Sequence, residues 1–264
     1  SALEYDGTRL RSRYILQAIR AAFPMDAHTL CLDLWYKYIE PSPPSSIRTM
    51  CEEYIGGIYF RRGDYEQAIL HYANTPHDSS SFWWCVSQLG VESDIDRIKM
   101  LYRYCPSSSE LAQMVQRICR QAEQYANVTV FGVKGSEDWK SDYNRYLENR
   151  DSYMALRDLA LQAATEGRGD DAAMWQYTAA FLSLIDGDAA LCSEQLATAS
   201  RMNATPFMKD NIRILAIMAM AMTGGYDAAF ERKMLAELQW LDDRIASNID
   251  DAVRGEYLSW ERSM

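Results

Sequence analysis

The chain has 264 residues, 48% apolar and 24% charged, and its 12% aromatic content excludes intrinsic disorder. With 13 Gly and 7 Pro, collagen-like and Pro/Gly-rich fibres are excluded as well. Its 27 basic and 37 acidic residues leave a formal charge of −10, a field that repels phosphate backbones and anionic membranes, so no nucleic acid partner is expected.

Several features bear on the chain as a whole. The longest apolar run, Ile214–Met222, is far below the roughly 20 residues a membrane span needs, and no spanning helix is expected. Six cysteines (Cys31, Cys51, Cys85, Cys105, Cys119 and Cys192) show neither CxxC nor CxH spacing. All but Cys105 sit in apolar helical patterns, where a free thiol packs as a small hydrophobe, so neither a zinc site nor a disulfide framework is expected. Ser1 opens the chain without methionine or an apolar signal segment, and Met264 falls inside a helical pattern. That suggests a fragment of a longer protein or a processed, exported form.

Helical periodicity dominates from the start. The opening helix carries Arg11, Arg13 and Arg20, which read as a solvated face. Pro24 and Asp26 separate it from a helix over Leu30–Ile39, Pro41-Ser42-Pro43-Pro44 forms a rigid loop, and Ser45 or Ser46 caps the next helix. Further breaks fall at Thr75-Pro76, Cys105-Pro106-Ser107, Gly167–Asp170, Asp186-Gly187-Asp188 and Gly224-Gly225. These divide the chain into about a dozen helices with short connections, which favours antiparallel pairs. Leu111, Val115, Ile118, Ala122 and Tyr125 line one helix face. Tyr143, Tyr146, Tyr153, Leu156 and Ala160 form a second stripe, and Phe230, Met234, Leu238, Leu241 and Ile245 a third. Met218, Met220 and Met222 lie on a helix apolar all round, expected to be central to its half. Residues 128–138 are β-branched and glycine-containing with no stripe, and read as a loop joining an N-terminal half, 1–127, to a C-terminal half, 139–264.

The clearest repeated unit lies within residues 52–80. Ile55, Gly56, Tyr59, Gly63, Tyr65, Ala68 and Tyr72 follow a large-small-aromatic, then small-aromatic, spacing, and the segment resembles the tetratricopeptide repeat (TPR) family. Gly56 and Ala68 are expected where the two helices cross, and Gly63 in a turn with positive φ. Glu52 stands where the family often has tryptophan, and Ser80 where it often has proline. A fainter copy runs from Trp175 to Ala199 through Ala180, Gly187, Cys192 and Leu196. A third pairs Ile212–Thr223 with Ala228–Trp240, with Ala229 at the crossing and Lys233 in place of an aromatic. The interval from Gly187 to Gly224 is close to the ~34-residue period of the family, whereas that from Gly63 to Gly187 is no multiple of it.

This resemblance implies an all-α solenoid of stacked antiparallel hairpins, whose first helices line a groove for a protein or peptide partner. The aromatic-rich, diverged repeats also look similar to helical-repeat proteins of gut Bacteroidetes. That second resemblance implies a bacterial protein, exported or periplasmic as readily as cytoplasmic.

Chemical motifs are sparse. His28 stands near a helix start, His71 is expected to face outward beside Tyr72, and His77 falls in a loop. A metal set of His71, His77 and Asp78 is weaker than the plain structural reading of each. HExxH, GxSxG, P-loop and GxGxxG patterns are absent. Asp242-Asp243 and Asp250-Asp251 superficially resemble the magnesium motifs of terpene synthases. The third carboxylate is missing, however, and Arg254 stands where Ser or Thr is needed, so helix-dipole roles fit better. A glycan-active helical enzyme with paired carboxylates is the alternative reading, with seven Trp and 17 Tyr as stacking surfaces.

The expected function is non-catalytic protein or peptide binding or scaffolding, with no cofactor and no metal. Phe82-Trp83-Trp84 cannot all face inward on one helix, so one ring should reach solvent. The candidate contact residues are Glu52, Tyr59, Arg61 and Arg62 in the best unit, Trp83 and Trp84 beyond it, and Tyr177 in the second copy. Arg61 and Arg62 suit a partner's carboxylates, and tyrosines supply contact area at small entropic cost.

Overall fold

The computed structural model describes residues 10–75, 79–91, 93–130, 139–168, 171–223, 225–247 and 254. Among them are twelve α-helices and no strand, an all-α fold as the periodicity requires. They are α1 (Arg11–Ala22), α2 (His28–Leu34), α3 (Ser46–Arg61), α4 (Tyr65–Tyr72), α5 (Ser79–Gln88) and α6 (Asp94–Tyr104). After them come α7 (Ser109–Val130), α8 (Trp139–Glu166), α9 (Ala172–Ile185), α10 (Ala189–Ala199), α11 (Pro206–Thr223) and α12 (Ala228–Ala246). A 3-10 turn at Phe23–Met25 ends α1, and a π-helical segment, Trp35–Ile39, continues α2. Of the expected 128–138 linker, Val128–Val130 are the end of α7, and residues 131–138 lie outside the described residues.

Short polar side chains start most of these helices. Ser45 accepts from the Arg48 amide, Asp64 from Gln67, Ser93 from Asp96, Asp171 from Met174 and Asp188 from Leu191. Asp227 takes two amides, those of Ala229 and Phe230. Each cap satisfies a donor the helix itself leaves open and is worth about 1 kcal/mol.

The chain forms two compact units, Ser1–Leu111 and Ala112–Met264. In the first, α1 packs on α2 and α3, α3 on α4, and α4 on α5. Ile15, Ile19, Cys31, Trp35, Ile39, Cys51, Ile55 and Ile58 form its core. Adjacent glycines in α3 serve two different neighbours. A Cβ on Gly56 would stand 3.0 Å from Cε1 of Tyr72, and one on Gly57 3.0 Å from Cζ of Phe23. Ala68 is buried as expected, but the group for which Gly56 makes room is the Tyr72 ring. The turn after α3 has Gly63 at φ +74, a conformation that costs glycine little and other residues more.

In the second unit α8 packs on α9, α9 on α10 and α10 on α11, and α9 also reaches α11, the skip-one contact that solenoid-like stacking produces. The helix surrounded on all sides is α9, buried at nearly every position from Ala173 to Ile185. The methionine-rich α11, expected in that role, leaves Met222 37% exposed. Its hydrophobic run is longer but has only one buried face, because Arg213 and Ala216 open to solvent. The α9–α10 turn repeats the earlier one, with Gly187 at φ +89 followed by the Asp188 cap. Before α12 the left-handed position is taken by Tyr226, φ +41, ahead of the Asp227 cap; Gly224 lies outside the described residues.

Charged clamps add to this packing. Arg150 donates to both Asp186 oxygens at 2.6 Å, and the Tyr146 hydroxyl donates to Oδ1 at 2.8 Å, fastening α8 to the end of α9. Burial pushes the Asp186 carboxyl up, but the bonds from Arg150 and Tyr146 outweigh it and hold the group below its ordinary value. Arg213 pairs with Glu237 at 2.5 Å and lies over the Trp240 ring, and Arg244 pairs with Asp210, so two arginines join α11 and α12.

Candidate functional site

A polar constellation lies in the first unit, where the π-helical segment, α3 and α4 meet. Glu52, on α3, is only 3% exposed, and its Oε2 stands 2.5 Å from His71 Nδ1 on α4. Arg48, one turn earlier on α3, approaches the other carboxylate oxygen at 3.5 Å and donates to the Glu40 and Ser42 carbonyls. The His71 ring stacks on Tyr59 at 5.5 Å and 7° and meets Trp35 edge-on at 5.3 Å. Tyr59 and Tyr36 share a hydroxyl–hydroxyl hydrogen bond of 2.6 Å. Burial, and then this bond, push the Tyr59 phenol up to about 12.

The geometry follows from spacing. Glu52 and Tyr59 are seven apart on α3 and share a face, while Ala68 and His71 are three apart on α4. His71 therefore sits beside the buried Ala68 and turns inward against α3, with only 12% of its side chain exposed. The outward orientation expected from its neighbour Tyr72 is thus corrected. The wide turn of the π-helical segment sets Trp35 against the ring and leaves Tyr36 exposed at the rim.

The second unit carries an uncharged counterpart at the same register. Counted from the turn glycines, Glu52, Tyr59 and His71 correspond to Gln176, Ser183 and Gln195. Those three are buried, and the Ser183 hydroxyl donates to Gln195 Oε1 at 2.8 Å. Gln176 Nε2 donates to the Gln195 carbonyl at 3.4 Å. A polar link from first to second helix thus occupies equivalent places in both hairpins.

Around this constellation lie the residues expected to make contacts. Glu52 is taken up by His71 and Arg48, and Tyr59 is half-buried between His71 and Tyr36. Arg61 is engaged within the chain, 3.0 Å from Asp26 and 4.3 Å above the Phe23 ring. Arg62 is exposed and forms no ion pair among the described residues. The three consecutive aromatics divide as helical geometry demands. Phe82 is buried, Trp83 is half-buried with Nε1 donating to Glu110 at 2.6 Å, and Trp84 is 45% exposed. Trp84 nonetheless rests on Phe60 at 4.6 Å and Tyr65 at 5.7 Å, so three rings from α3, α4 and α5 form one platform near the Gly63 turn. Tyr177, in the second unit, is half-buried and stacks on Phe181 at 6.4 Å.

Sequence reasoning missed Tyr36 and the role of Asp26, and it placed His71 outward. Tyr36 and His71 fall at places the repeat pattern does not mark, and Asp26 adopts a left-handed backbone, φ +54, that brings its carboxylate to Arg61. Among the described residues no group of three or more His, Cys, Asp or Glu side chains stands together for a metal. His77, Asp78, Asp250 and Asp251 lie outside the described residues, and Asp242 and Asp243 are exposed on α12. The cysteines at positions 51 and 192 are buried, and burial pushes each thiol up to about 12, away from the thiolate form. Compared with protein-family models, with curated proteins and with solved structures, the chain matches none.

Proposed function

We propose that the chain is a TPR-like helical-repeat module that binds a protein or peptide segment and performs no chemistry of its own. The observation that carries this reading is the platform of Phe60, Tyr65 and Trp84. An exposed tryptophan held in place by two other rings offers a large apolar surface whose ordering cost is already met by the fold. Arg62, at the same end of the α3–α4 hairpin, supplies an uncommitted guanidinium for a carboxylate beside the apolar anchor. The turn glycines, the room that Gly56 leaves for the Tyr72 ring and the polar link shared by the two hairpins support the repeat assignment.

The partner expected from these groups is a segment with an aromatic or proline side chain next to an acidic residue. The test is selection of peptides from a random library on the full chain, with affinity measurements on Trp84→Ala and Arg62→Glu variants. Selected peptides should lose about tenfold or more in each, corresponding to an anchor worth 1–2 kcal/mol. Affinity undiminished from that of the unsubstituted chain in both variants, or selection of glycans in place of peptides on a parallel array, overturns the reading.

A further inference from the structure

We propose that Arg11, Lys37 and Tyr38 form a binding site for a phosphate group. Arg11 opens α1, while Lys37 and Tyr38 lie on the π-helical segment, against which α1 packs. The Arg11 guanidinium carbon stands 4.8 Å, and Lys37 Nζ 5.2 Å, from the centroid of the Tyr38 ring. Two cations are thus gathered round one phenol in a chain whose net charge is −10.

Each cation is attracted by the face of the ring, which offsets part of their mutual repulsion but neutralises neither. Among the described residues neither Arg11 nor Lys37 forms an ion pair. Asp33 and Glu40, the acids nearest Lys37 in sequence, are exposed and unpaired with either. The Tyr38 hydroxyl lies in the combined field: hydrogen bonding from Lys37 first, and the Arg11 charge after it, hold the phenol below its ordinary value. The base is firm, because Tyr38 packs on the core of the unit and its carbonyl accepts from Ser42 Oγ at 2.7 Å. The N-terminus of α1, where Leu10 supplies no side-chain cap, adds a partial charge of the same sign close to Arg11.

Charge and donor count select the ligand. Two full positive charges and a phenol match a phosphate or phosphomonoester, which carries about −1.5 to −2 at neutral pH and three strong acceptor oxygens. A single carboxylate leaves one cation uncompensated. Arg11 brings a planar fork and Lys37 a point charge, the two ways side chains grip phosphate oxygens. Free phosphate and a phosphomonoester share this chemistry.

The test is an NMR titration of the isotopically labelled full chain at low ionic strength with inorganic phosphate, then with phenyl phosphate, against chloride at matched ionic strength. Both phosphates should give saturable shifts at the amides of Arg11, Lys37 and Tyr38 that chloride does not reproduce. Tighter binding of phenyl phosphate assigns a monoester as the source, and equal binding assigns free phosphate. The Arg11→Gln/Lys37→Gln double variant should bind about tenfold more weakly or worse through loss of two charge-assisted contacts. Tyr38→Phe should weaken binding severalfold, and Arg20→Gln on the same helix should leave it unchanged. The charge-retaining Arg11→Lys/Lys37→Arg variant should recover most of the affinity. Shifts that chloride reproduces, or full affinity in the double glutamine variant, overturn the assignment.

Discussion

Replacing Glu52 separates the energetic role of its carboxylate from that of the repeat register it occupies. The residue is 3% exposed, and its side chain bonds to His71 at 2.5 Å, with Arg48 at 3.5 Å. Glu52→Ala removes the shared acceptor, leaves a part-buried imidazole N–H without its partner and opens a small cavity. A lost hydrogen bond to a charged group is worth about 1.5–3 kcal/mol, and breaking a buried pair from one side reaches about 3–5 kcal/mol. Since Arg48 keeps its two carbonyl partners, the expected loss is near the lower figure, about 3 kcal/mol. For a unit of this size that lowers its melting temperature by roughly 10 °C or more. Glu52→Gln keeps an acceptor facing His71 and reproduces the residue type at Gln176, so its cost should be about 1 kcal/mol. Trp35, edge-on to His71 at 5.3 Å, belongs to the same core, so tryptophan fluorescence during thermal and urea unfolding should report the loss. Equal penalties for Ala and Gln, or a penalty under 1 kcal/mol for Ala, would refute the reasoning.

Three further outcomes are expected. Gly63→Ala and Gly187→Ala meet no atom within 4 Å, so backbone strain alone should make each cost about 1 kcal/mol, and the two penalties should agree in urea titrations. Gly56→Val must displace the buried Tyr72 ring and should cost about 1–3 kcal/mol, whereas Ala180→Gly at the equivalent place should cost about 1 kcal/mol through helix propensity and lost contact. The Asp186 carboxyl is held below its ordinary value of 3.8, so its contribution is complete above that pH and falls away as acid protonates it in the folded state. Asp186→Asn should therefore lower stability at neutral pH and flatten the acid limb of a urea-midpoint profile; an unchanged acid limb would contradict the clamp.

The parts of the fold written in local chemistry were legible in the sequence. Glycine then aspartate marks both clear hairpin turns, because one supplies positive φ and the other caps the next helix. The division of Phe82, Trp83 and Trp84 also comes from helical geometry alone. The features that escaped depend on tertiary neighbours. Apolar content pointed to α11 as the central helix, yet centrality depends on how many elements pack round a helix, and α9 has α8, α10 and α11. Arg61 and Arg62 are indistinguishable as letters; only the left-handed turn at Asp26, over thirty positions away, commits one of them and leaves the other exposed. The Glu52–His71 pair needed the register between α3 and α4, which becomes visible only once Gly56 is seen to lie under Tyr72.

Hydrogen–deuterium exchange of the full chain with and without a library-selected peptide tests the binding proposal most directly. The account predicts added protection concentrated in peptides covering residues 58–66 and 80–88, lost in the Trp84→Ala variant. Protection confined to other segments, or the same pattern in that variant, would contradict it.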